Sequence, residues 1–290
     1  MSAAGPVAVI GLGRMGLPMA SNIAKAGVAV RGWNRSERTY GQVPLDLTIH
    51  STAESAVAGA RIVVLMLTNP DAVESLLFGH DLAKQIDAGT VVIDMGTSGP
   101  RAARDHAKRL GERGIRYLDA PVSGGVKGAT EATLSILVGG DEATFADAKP
   151  VFQAMGRPTH LGPTGCGQTA KVANQLIVAC YIGAVAEGVR FAEQQGMDAA
   201  ALISALEGGF ADSAVLRQHG RKMAARDFVA GGTCSLHLKD LSLAAELAGA
   251  DFDRFVNSSE ALRRFARLVQ SGHKDSDHSA YYLTYENGFE

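Results

Sequence analysis

Cysteine is scarce in this sequence, and the few residues present are scattered. Only Cys166, Cys180 and Cys234 occur among 290 residues. An odd and widely spaced set provides neither a disulfide framework nor the paired spacing of a zinc site, and it is typical of a reducing compartment. The first residues also lack the basic start of a secretory signal. We therefore expect a cytoplasmic protein without a metal site.

Basic runs and long apolar segments are missing as well. Lys and Arg number 28 against 30 Asp and Glu, which gives a formal net charge of -2. Without a basic arm the chain has no charge pattern that would attract nucleic acid. The longest apolar stretch, residues 176–186, is shorter than the roughly 20 residues that a membrane-spanning helix needs. We therefore predict neither a nucleic-acid partner nor a membrane partner.

The first half of the chain alternates short apolar runs with amphipathic stretches. The predicted strands are residues 7–10, 28–33, 62–67, 91–94, 116–119 and 134–138. Helical patterns separate most of them, for example at residues 15–26 and 101–114. This alternation predicts an α/β fold with a mostly parallel sheet, wrapped by helices in a doubly wound arrangement.

A cluster of glycine and proline at residues 162–167 ends this alternation and is the best candidate for a domain boundary. One long helical stretch follows, at about residues 168–195, and its middle is apolar on nearly every side. A helix that is apolar all round is normally buried on all sides, so we expect it between two domains and at a subunit interface. We predict domains at residues 1–163 and 164–290, the second all-helical and beginning with this linker helix.

The first predicted strand leads into a glycine-rich loop with the pattern G-x-G-x-x-G, formed by Gly11, Leu12, Gly13, Arg14, Met15 and Gly16. In such a loop the glycines permit a tight turn, close approach of the backbone to a pyrophosphate, and close packing of helix on strand. The helix start adds free N–H groups for the phosphates. The strand–loop–helix context predicts a Rossmann-like dinucleotide-binding domain, and a glycine-rich turn without ligand is the alternative.

The second predicted strand ends at Asn34, Arg35 and Ser36. NAD-specific sites usually carry Asp or Glu here, which accepts hydrogen bonds from the ribose. Arg35 instead offers a cation suited to a 2′-phosphate, so we favour NADP, with NAD as the alternative. A solvated surface charge is the other interpretation of Arg35, and the nearby Glu37 weighs against NADP.

Ligands of open parallel sheets bind beyond the carboxyl ends of the strands. Three residues that follow such ends are predicted to line the cofactor: Leu67, Thr68 and Thr97. Ser123, Gly124 and Gly125 follow another strand end, where a hydroxyl and successive N–H groups suit a carboxylate. A turn selected for its geometry alone is the alternative.

Lys171 and Asn174 are three residues apart and share one face of the linker helix. Burial and the helix dipole both disfavour the charge of a lysine near a helix start, which makes it a better proton donor near neutral pH. A lysine with a buried stem and a solvated amine is the alternative. The same choice between a site residue and a surface residue is open for Lys239.

Four motifs in the chain resemble the β-hydroxyacid dehydrogenases, the family that includes 3-hydroxyisobutyrate dehydrogenase. They are residues 11–20 (GLGRMGLPMA), 119–125 (DAPVSGG), 165–174 (GCGQTAKVAN) and 239–241 (KDL). In this order they span nearly the whole chain and are highly specific together. The resemblance implies a Rossmann-like domain followed by an all-α domain, usually assembled as a homodimer or homotetramer.

The resemblance also implies roles for individual residues. Lys171 would be the catalytic acid that protonates the carbonyl oxygen, and Asn174 would hold the substrate and orient that lysine. The implied substrate-binding residues are Ser123, Gly124, Gly125, Asn174 and Gln175. Thr97 would contact the nicotinamide ribose, and Lys239 would reach the nicotinamide side of the cofactor.

Within the family the chain is most similar to tartronate semialdehyde reductases, which reduce 2-hydroxy-3-oxopropionate to glycerate. Gln175, where other members usually carry a second Asn, is part of that likeness. Two positions depart from the family pattern: Asp212 stands where a small residue is usual, and Ala132 replaces a Gly. Alternatives are reduction of 3-hydroxyisobutyrate-type, glyoxylate or succinic semialdehyde substrates, an imine reductase, or a non-catalytic NADP-binding module.

Overall fold

The computed structural model describes residues 5–36, 40, 43–229, 231–286 and 289. The chain divides into two compact units, Met1–Lys171 and Val172–Glu290. This division lies within one long helix, later in the chain than the predicted boundary at residue 163.

The first unit is built on a single sheet. Its described residues form nine strands: β1 (Val7–Ile10), β2 (Val30–Trp33), β3 (Leu47–Ile49), β4 (Ile62–Leu65), β5 (Val91–Asp94), β6 (Arg116–Asp119), β7 (Val122–Ser123), β8 (Leu134–Gly140) and β9 (Gly156–His160). The strand order is β3-β2-β1-β4-β5-β6-β8-β7, and β9 pairs with β8. All pairings from β3 to β6 are parallel, whereas β8 runs antiparallel to β6 and β7. The predicted α/β class with a mostly parallel sheet is confirmed.

Helices connect these strands and make up the second unit. The first unit contains α1 (Gly16–Lys25), α2 (Ala53–Val57), α3 (Pro70–Glu74), α4 (Pro100–Gly111), α5 (Gly125–Glu131) and α6 (Glu142–Gln153). Helix α7 spans Cys166–Gln194, and α8 (Ala199–Leu206), α9 (Arg221–Ala225), α10 (Cys234–Ala248) and α11 (Val256–Leu268) follow it. Short 3-10 or π-helical segments occur at Ser75–Gly79, Leu82–Gln85, Leu216–Gly220, Gly249–Arg254, Val269–His273 and His278–Tyr285.

The sheet is buried on both faces. In β1, Val7 and Val9 belong to one hydrophobic core and Ala8 and Ile10 to another, and all four are fully buried. Side chains alternate between the two faces of a strand, so each core covers one face. This double burial explains why the central strands β1 and β4 are uninterrupted apolar runs. From β1 the chain adds β2 and β3 on one side of the sheet and then β4, β5 and β6 on the other side. The carboxyl end of β1 is therefore a topological switch point, the place where ligands bind in open parallel sheets.

Two predicted strands are shorter than expected. The strand predicted at residues 28–33 begins at Val30, and the one predicted at 62–67 ends at Leu65. Met66 and Leu67 leave the sheet and pack beside the backbone of Gly11. The N–H of Met66 still donates to the carbonyl oxygen of Ile10 at 2.9 Å, and both side chains pack against the cores of the first unit.

Helix α7 has an exposed apolar side in the single chain. Ile177 and Tyr181 are 53% and 50% exposed and Phe191 is 65% exposed, so the predicted burial at a subunit interface stays a prediction. The helix is also long and apolar enough to cross a membrane by length and composition alone, so the length argument against a span was wrong. Its opposite face packs into the helical core through Ala179 and Ile182.

Candidate active site

The glycine-rich loop after β1 has two closely packed glycines and one open glycine. Gly11 has φ +100°, and a Cβ there would overlap the carbonyl oxygen of Met66. A Cβ on Gly16 would overlap the carbonyl oxygen of Gly11. A Cβ on Gly13 would meet no described atom within 4 Å. The loop is therefore closed against β4 and α1 but leaves space at Gly13 for a ligand to approach the backbone.

The start of helix α1 fits a phosphate group. In the described chain no side chain caps this end through Met15, and its first turn carries no acidic residue. Its N–H groups and the positive end of the helix dipole therefore suit an anion. Leu12 is buried and Met15 packs against the core, whereas Arg14 is exposed at the loop surface. These features fit the pyrophosphate of a dinucleotide.

The carboxyl end of β2 contains the residues predicted to select the cofactor. The Asn34 side-chain amide donates a hydrogen bond to the carbonyl oxygen of Ser36 at 2.8 Å, which closes a tight turn. Arg35 and Ser36 are exposed on this turn. Glu37 lies outside the described residues.

Asp94, the last residue of β5, shapes the loop that carries Thr97. Its carboxyl accepts hydrogen bonds from the N–H of Gly96 at 3.0 Å and from the Ser98 hydroxyl at 2.6 Å. Asp94 is fully buried, whereas Thr97 remains partly exposed. Thr68, on the loop after β4, is exposed and Leu67 beside it is partly buried. The loop after β5 is therefore held by the buried side chains of Asp94 and Ser98, which lie on each side of Thr97.

Gln168 joins the same loop to the first turn of helix α7. Its side-chain oxygen accepts hydrogen bonds from the N–H groups of Ser98 and Gly99, each at 3.0 Å. Its side-chain nitrogen donates to the carbonyl oxygen of Gly96 at 2.9 Å. The side chain is fully buried, so these bonds have no competition from solvent. Lys171 follows Gln168 by one helical turn on α7.

Asp119, the last residue of β6, caps that same helix. Its two carboxylate oxygens accept hydrogen bonds from the N–H groups of Gly165 and Gln168, both at 2.8 Å. A carboxylate at this end satisfies backbone donors and favours the helix dipole. Ser123, the first residue of the predicted substrate loop, follows Asp119 by four positions, so the Asp119 carboxylate ties the end of β6, which precedes this loop, to the start of the helix.

Burial is the main cause of the raised pKa values of Asp94, Asp119 and Tyr117. Desolvation raises the pKa of Asp94 to about 6, against the opposing effect of its hydrogen bonds from Ser98 and Gly96. Burial also raises the pKa of Asp119, although the N–H groups of Gly165 and Gln168 oppose the shift. The pKa of Tyr117 is raised well above its usual value by burial and then by the charges of Asp94 and Asp119.

The predicted substrate loop is a turn with two unusual glycines. Ser123 ends β7, where it pairs with Ser135 of β8, and it is partly exposed. Gly124 has φ +133° and Gly125 has φ +61°, and both are exposed. Both φ values lie in the region that favours glycine, and among the described residues no side chain caps the start of helix α5, which follows Gly124. Lys171 is 9% exposed.

In the second unit, three side chains form a hydrogen-bonded chain. The Asn174 amide donates to the side-chain oxygen of Gln175 at 3.0 Å, and the Gln175 amide donates to the Asp240 carboxylate at 2.7 Å. The other Asp240 oxygen lies 3.4 Å from the Lys239 ammonium. Asp240 is 6% exposed. The structure thus brings together three predicted site residues, Asn174, Gln175 and Lys239. They are joined through Asp240, to which the sequence analysis gave no role.

A second cluster in this unit contains potential metal ligands. The ligand atoms of His219, Asp277 and His278 lie within 4.8 Å of one another. The Asp277 carboxylate already accepts hydrogen bonds from Lys222 at 2.9 Å, Gly231 N at 2.7 Å and Ser279 Oγ at 2.7 Å. A cation would compete with the Lys222 ammonium for these oxygens, so the cluster is suited to holding the helical unit together.

Sequence reasoning gave no role to Gln168, Asp119, Asp94 or Asp240. For Gln168, Asp119 and Asp240 the partners lie far along the chain: Gln168 binds residues 69 to 72 positions away, and Gln175 lies 65 positions from Asp240. No local spacing rule predicts such pairs. The signal that was available was position, since Asp94 and Asp119 both end apolar strands and a carboxylate there requires a partner.

Family models match both parts of the chain. Residues 6–172 match the NAD binding domain of 6-phosphogluconate dehydrogenase, and residues 165–285 match the NAD-binding domain of NADP-dependent 3-hydroxyisobutyrate dehydrogenase. The chain is 40% identical to 2-hydroxy-3-oxopropionate reductase of Escherichia coli strain K12 over 93% of this chain and 94% of that protein. It belongs to the β-hydroxyacid dehydrogenases.

Other relatives of this β-hydroxyacid dehydrogenase differ in their named substrates. It is 35% identical to the NAD-dependent L-serine dehydrogenase of Pseudomonas aeruginosa, over 94% of this chain and 95% of that protein. Among solved structures it is similar to 3-hydroxyisobutyrate dehydrogenase of Mycobacterium tuberculosis with L-serine, with TM-score 0.84, 32% identity, and coverage of 98% of this chain and 100% of that chain. The chain is thus an NAD(P)-dependent oxidoreductase of hydroxy acids, as expected.

The two departures from the family pattern have local explanations. Ala132 ends helix α5 with φ +56°, a left-handed conformation that glycine adopts at lower cost. The extra charge of Asp212 is paired, because its carboxylate accepts hydrogen bonds from Arg217 and from the N–H of Gly208. The charge of Asp212 is therefore balanced by Arg217.

Proposed function

We propose that this β-hydroxyacid dehydrogenase reduces 2-hydroxy-3-oxopropionate to glycerate, with Lys171 as the general acid. The observation that carries the proposal is the anchoring of the Lys171 helix. Asp119 and Gln168 tie the first turn of α7 to the loop that carries Thr97 and to the start of the Ser123 loop. A proton donor, a cofactor loop and an anion-binding loop are therefore held by one buried set of hydrogen bonds.

The nicotinamide cofactor, when bound, supplies the hydride that reaches the aldehyde carbon. Lys171 donates its proton to the aldehyde oxygen as negative charge develops there. Proton transfer of this kind contributes about 10²- to 10⁴-fold to a rate. The low exposure of Lys171, 9%, supports this role, because burial disfavours the charged amine and promotes release of its proton.

The substrate carboxylate is assigned to the turn at Ser123, Gly124 and Gly125, whose left-handed glycines support an anion site. Asn174 holds the substrate and orients Lys171, and Gln175 completes the substrate-binding set. Binding both ends of a small acid fixes its orientation, which contributes several kcal/mol to lowering a barrier. Lys239 and Thr97 are assigned to the nicotinamide side of the cofactor.

The cofactor is proposed to be NADP, with Arg35 facing the 2′-phosphate. The remaining loop residues assigned to the cofactor are Gly11, Leu12, Gly13, Arg14, Met15, Gly16, Asn34, Ser36, Leu67 and Thr68. The exposed guanidinium of Arg35 supports this choice, because it is accessible to a ligand anion. Arg35→Ala removes the cation without adding a ribose acceptor, so it should raise the KM for NADPH at least about tenfold and leave the KM for NADH nearly unchanged.

We further propose a cytoplasmic homodimer or homotetramer, with neither nucleic acid nor membrane as a partner. Support comes from the exposed apolar side of α7, where Ile177, Tyr181 and Phe191 follow one another at intervals of one or more helical turns. Scattered apolar residues are normal at a surface, but an aligned row on one helix is typical of an interface.

A kinetic matrix tests the substrate and the mechanism. NADPH and NADH are each supplied with 2-hydroxy-3-oxopropionate, methylmalonate semialdehyde, glyoxylate, succinic semialdehyde and a cyclic imine. The proposal expects the highest kcat/KM for NADPH with 2-hydroxy-3-oxopropionate. Lys171→Met should reduce kcat about 10²-fold or more, whereas Lys127→Met, at an exposed lysine, should not. Near-wild-type turnover by Lys171→Met would refute the mechanism.

A further inference from the structure

The chain of side chains from Asp240 to Asn174 has a defined direction. An ionised carboxylate accepts hydrogen bonds and donates none, so Gln175 must present its NH₂ group to Asp240 at 2.7 Å. The Gln175 oxygen is then turned toward Asn174, which must present its own NH₂ group at 3.0 Å. The acceptor-only character of one carboxylate thus sets the orientation of two amides.

The consequence is that Asn174 keeps its side-chain oxygen, and not its amide nitrogen, as the end that is turned away from Gln175. An oxygen there is an acceptor that suits an ammonium group, whereas an NH₂ group would repel one. Lys171 precedes Asn174 by three residues on α7, the spacing at which helical side chains interact. The orientation of Asn174 therefore bears on how a proton is held at Lys171.

The Asp240 carboxylate is well placed for such a role. The residue is 6% exposed, so its hydrogen bond to Gln175 is shielded from water. Its second oxygen makes no hydrogen bond among the described residues, and the Lys239 ammonium at 3.4 Å balances its charge. A buried carboxylate with a nearby cation is a stable acceptor.

We propose that Asp240 is a positioning residue for the reaction, which acts through Gln175 to present the Asn174 oxygen to the ammonium of Lys171. The assignment rests on the proposed role of Lys171 as proton donor. It makes Gln175 a positioning residue too. Hydrogen bonding to the charged form of a lysine favours that form. The hydrogen-bonded relay from Asp240 through Gln175 to Asn174 therefore keeps Lys171 protonated until the substrate oxygen takes the proton.

Three variants distinguish an effect of the hydrogen-bonded relay from an effect of the negative charge on Asp240. Asp240→Asn removes the acceptor-only group and lets both amides rotate. Gln175→Leu breaks the relay but retains the Asp240 charge. The double variant Gln175→Glu with Asp240→Asn moves the carboxylate to position 175, where it accepts from both neighbours and restores the Asn174 orientation. Asp251→Asn, at an exposed carboxylate in the same unit, is the matched control.

The first readout is kinetic. Asp240→Asn should lower kcat about tenfold, with a smaller change in the substrate KM. Gln175→Leu should lower kcat to a similar degree and also raise the substrate KM, because Gln175 belongs to the proposed substrate-binding set. Both should shift the alkaline limb of the kcat profile toward lower pH. The double variant should recover most of the kcat and the limb position. A shift in Asp240→Asn but not in Gln175→Leu would assign the effect to charge alone, and failure of the double variant to recover would also overturn the relay.

The second readout needs no turnover. After reductive ¹³C-methylation, the Lys171 resonance is identified by its loss in Lys171→Arg and titrated by NMR in each variant. The relay expects a lower pKa for the Lys171 amine in both single variants and recovery in the double variant. If the wild-type enzyme reduces none of the semialdehydes, the proposed function fails, while this titration still decides the relay. Identical titrations in all variants would overturn it.

Discussion

Asp94 and Asp119 occupy paired positions at the ends of two adjacent parallel strands, and both are buried. Each carboxyl accepts hydrogen bonds that fix a different loop: Asp94 holds the loop that carries Thr97, and Asp119 holds the first turn of helix α7. Two carboxyls at neighbouring positions repel when both are charged, and this contributes to the raised pKa of Asp94 after burial.

The pH dependence of stability should reveal the buried proton on Asp94. The pKa of Asp94 rises from 3.8 to about 6 on folding, so between these values the native protein binds more protons than the unfolded chain. The Asp94 contribution to the free energy of unfolding therefore falls as pH rises through this window, by about 3 kcal/mol. Asp94→Asn should remove this fall, since an amide can accept from Gly96 and donate to Ser98.

The measurement is urea denaturation of both proteins from pH 4.5 to 8. The stability of Asp94→Asn relative to the wild type should increase as the pH rises. Asp87→Asn, at an exposed carboxyl, is the control and should follow the wild-type curve. Parallel curves for Asp94→Asn and wild type would show that the carboxyl does not carry the expected proton.

Loss of the Gln168 side chain should destabilise the first unit. Gln168→Leu leaves the buried N–H groups of Ser98 and Gly99 and the carbonyl oxygen of Gly96 without this partner. Each buried unsatisfied group costs about 1–3 kcal/mol, so the free energy of unfolding should fall by at least about 3 kcal/mol. Gln85→Leu, at an exposed site, is the control. Equal denaturation midpoints for the two variants would contradict this account.

Cofactor binding should be separable from folding at Gly13. Because a Cβ at this position meets no described atom within 4 Å, Gly13→Ala should keep a near-wild-type melting temperature. The added methyl group would lie where a pyrophosphate approaches, so NADPH affinity should fall about tenfold or more, measured by nicotinamide fluorescence. Gly111→Ala has equal space and lies in helix α4, away from the loop. Unchanged NADPH affinity in Gly13→Ala would argue against a dinucleotide in this loop.

The exposed row on α7 should determine the assembly state. Tyr181→Glu combined with Phe191→Glu places two charges among residues that are 50% and 65% exposed in the single chain, so folding of the subunit should be retained. Light scattering should show a monomer for this variant and an oligomer for the wild type. Gln194→Glu, an exposed change on the same helix, should remain oligomeric. A wild-type monomer would refute the proposed assembly.

Apolar patterning predicted the sheet well where strands are buried on both faces. Strands β1, β5 and β6 occur at the predicted residues, and in β1 and β5 all four residues are buried. Strands β3, β7 and β9 were missed, since β3 and β7 are very short and β9 contains Pro158 and alternately exposed residues. Such strands are defined by pairing with a neighbour, which local sequence does not encode.

The candidate site divides in the same way. The glycine-rich loop was predictable because three glycines at fixed spacing have a local steric cause, visible at Gly11 and Gly16. The roles assigned to Lys171 and Asn174 came from a family resemblance and stay predictions. The hydrogen bonds of Gln168 and Asp240 join distant parts of the chain and required coordinates.

The turn at Ser123–Gly125, proposed to bind the substrate carboxylate, is held on the side that leads into it. Asp119, four residues before Ser123, accepts hydrogen bonds from Gly165 and Gln168, and Val122 and Ser123 pair with β8. Substitutions after Ser123 are therefore expected to change which acid is accepted while the first turn of helix α7 keeps its place. A new substrate preference can then evolve by a few exchanges in one short turn, without redesign of the reaction machinery.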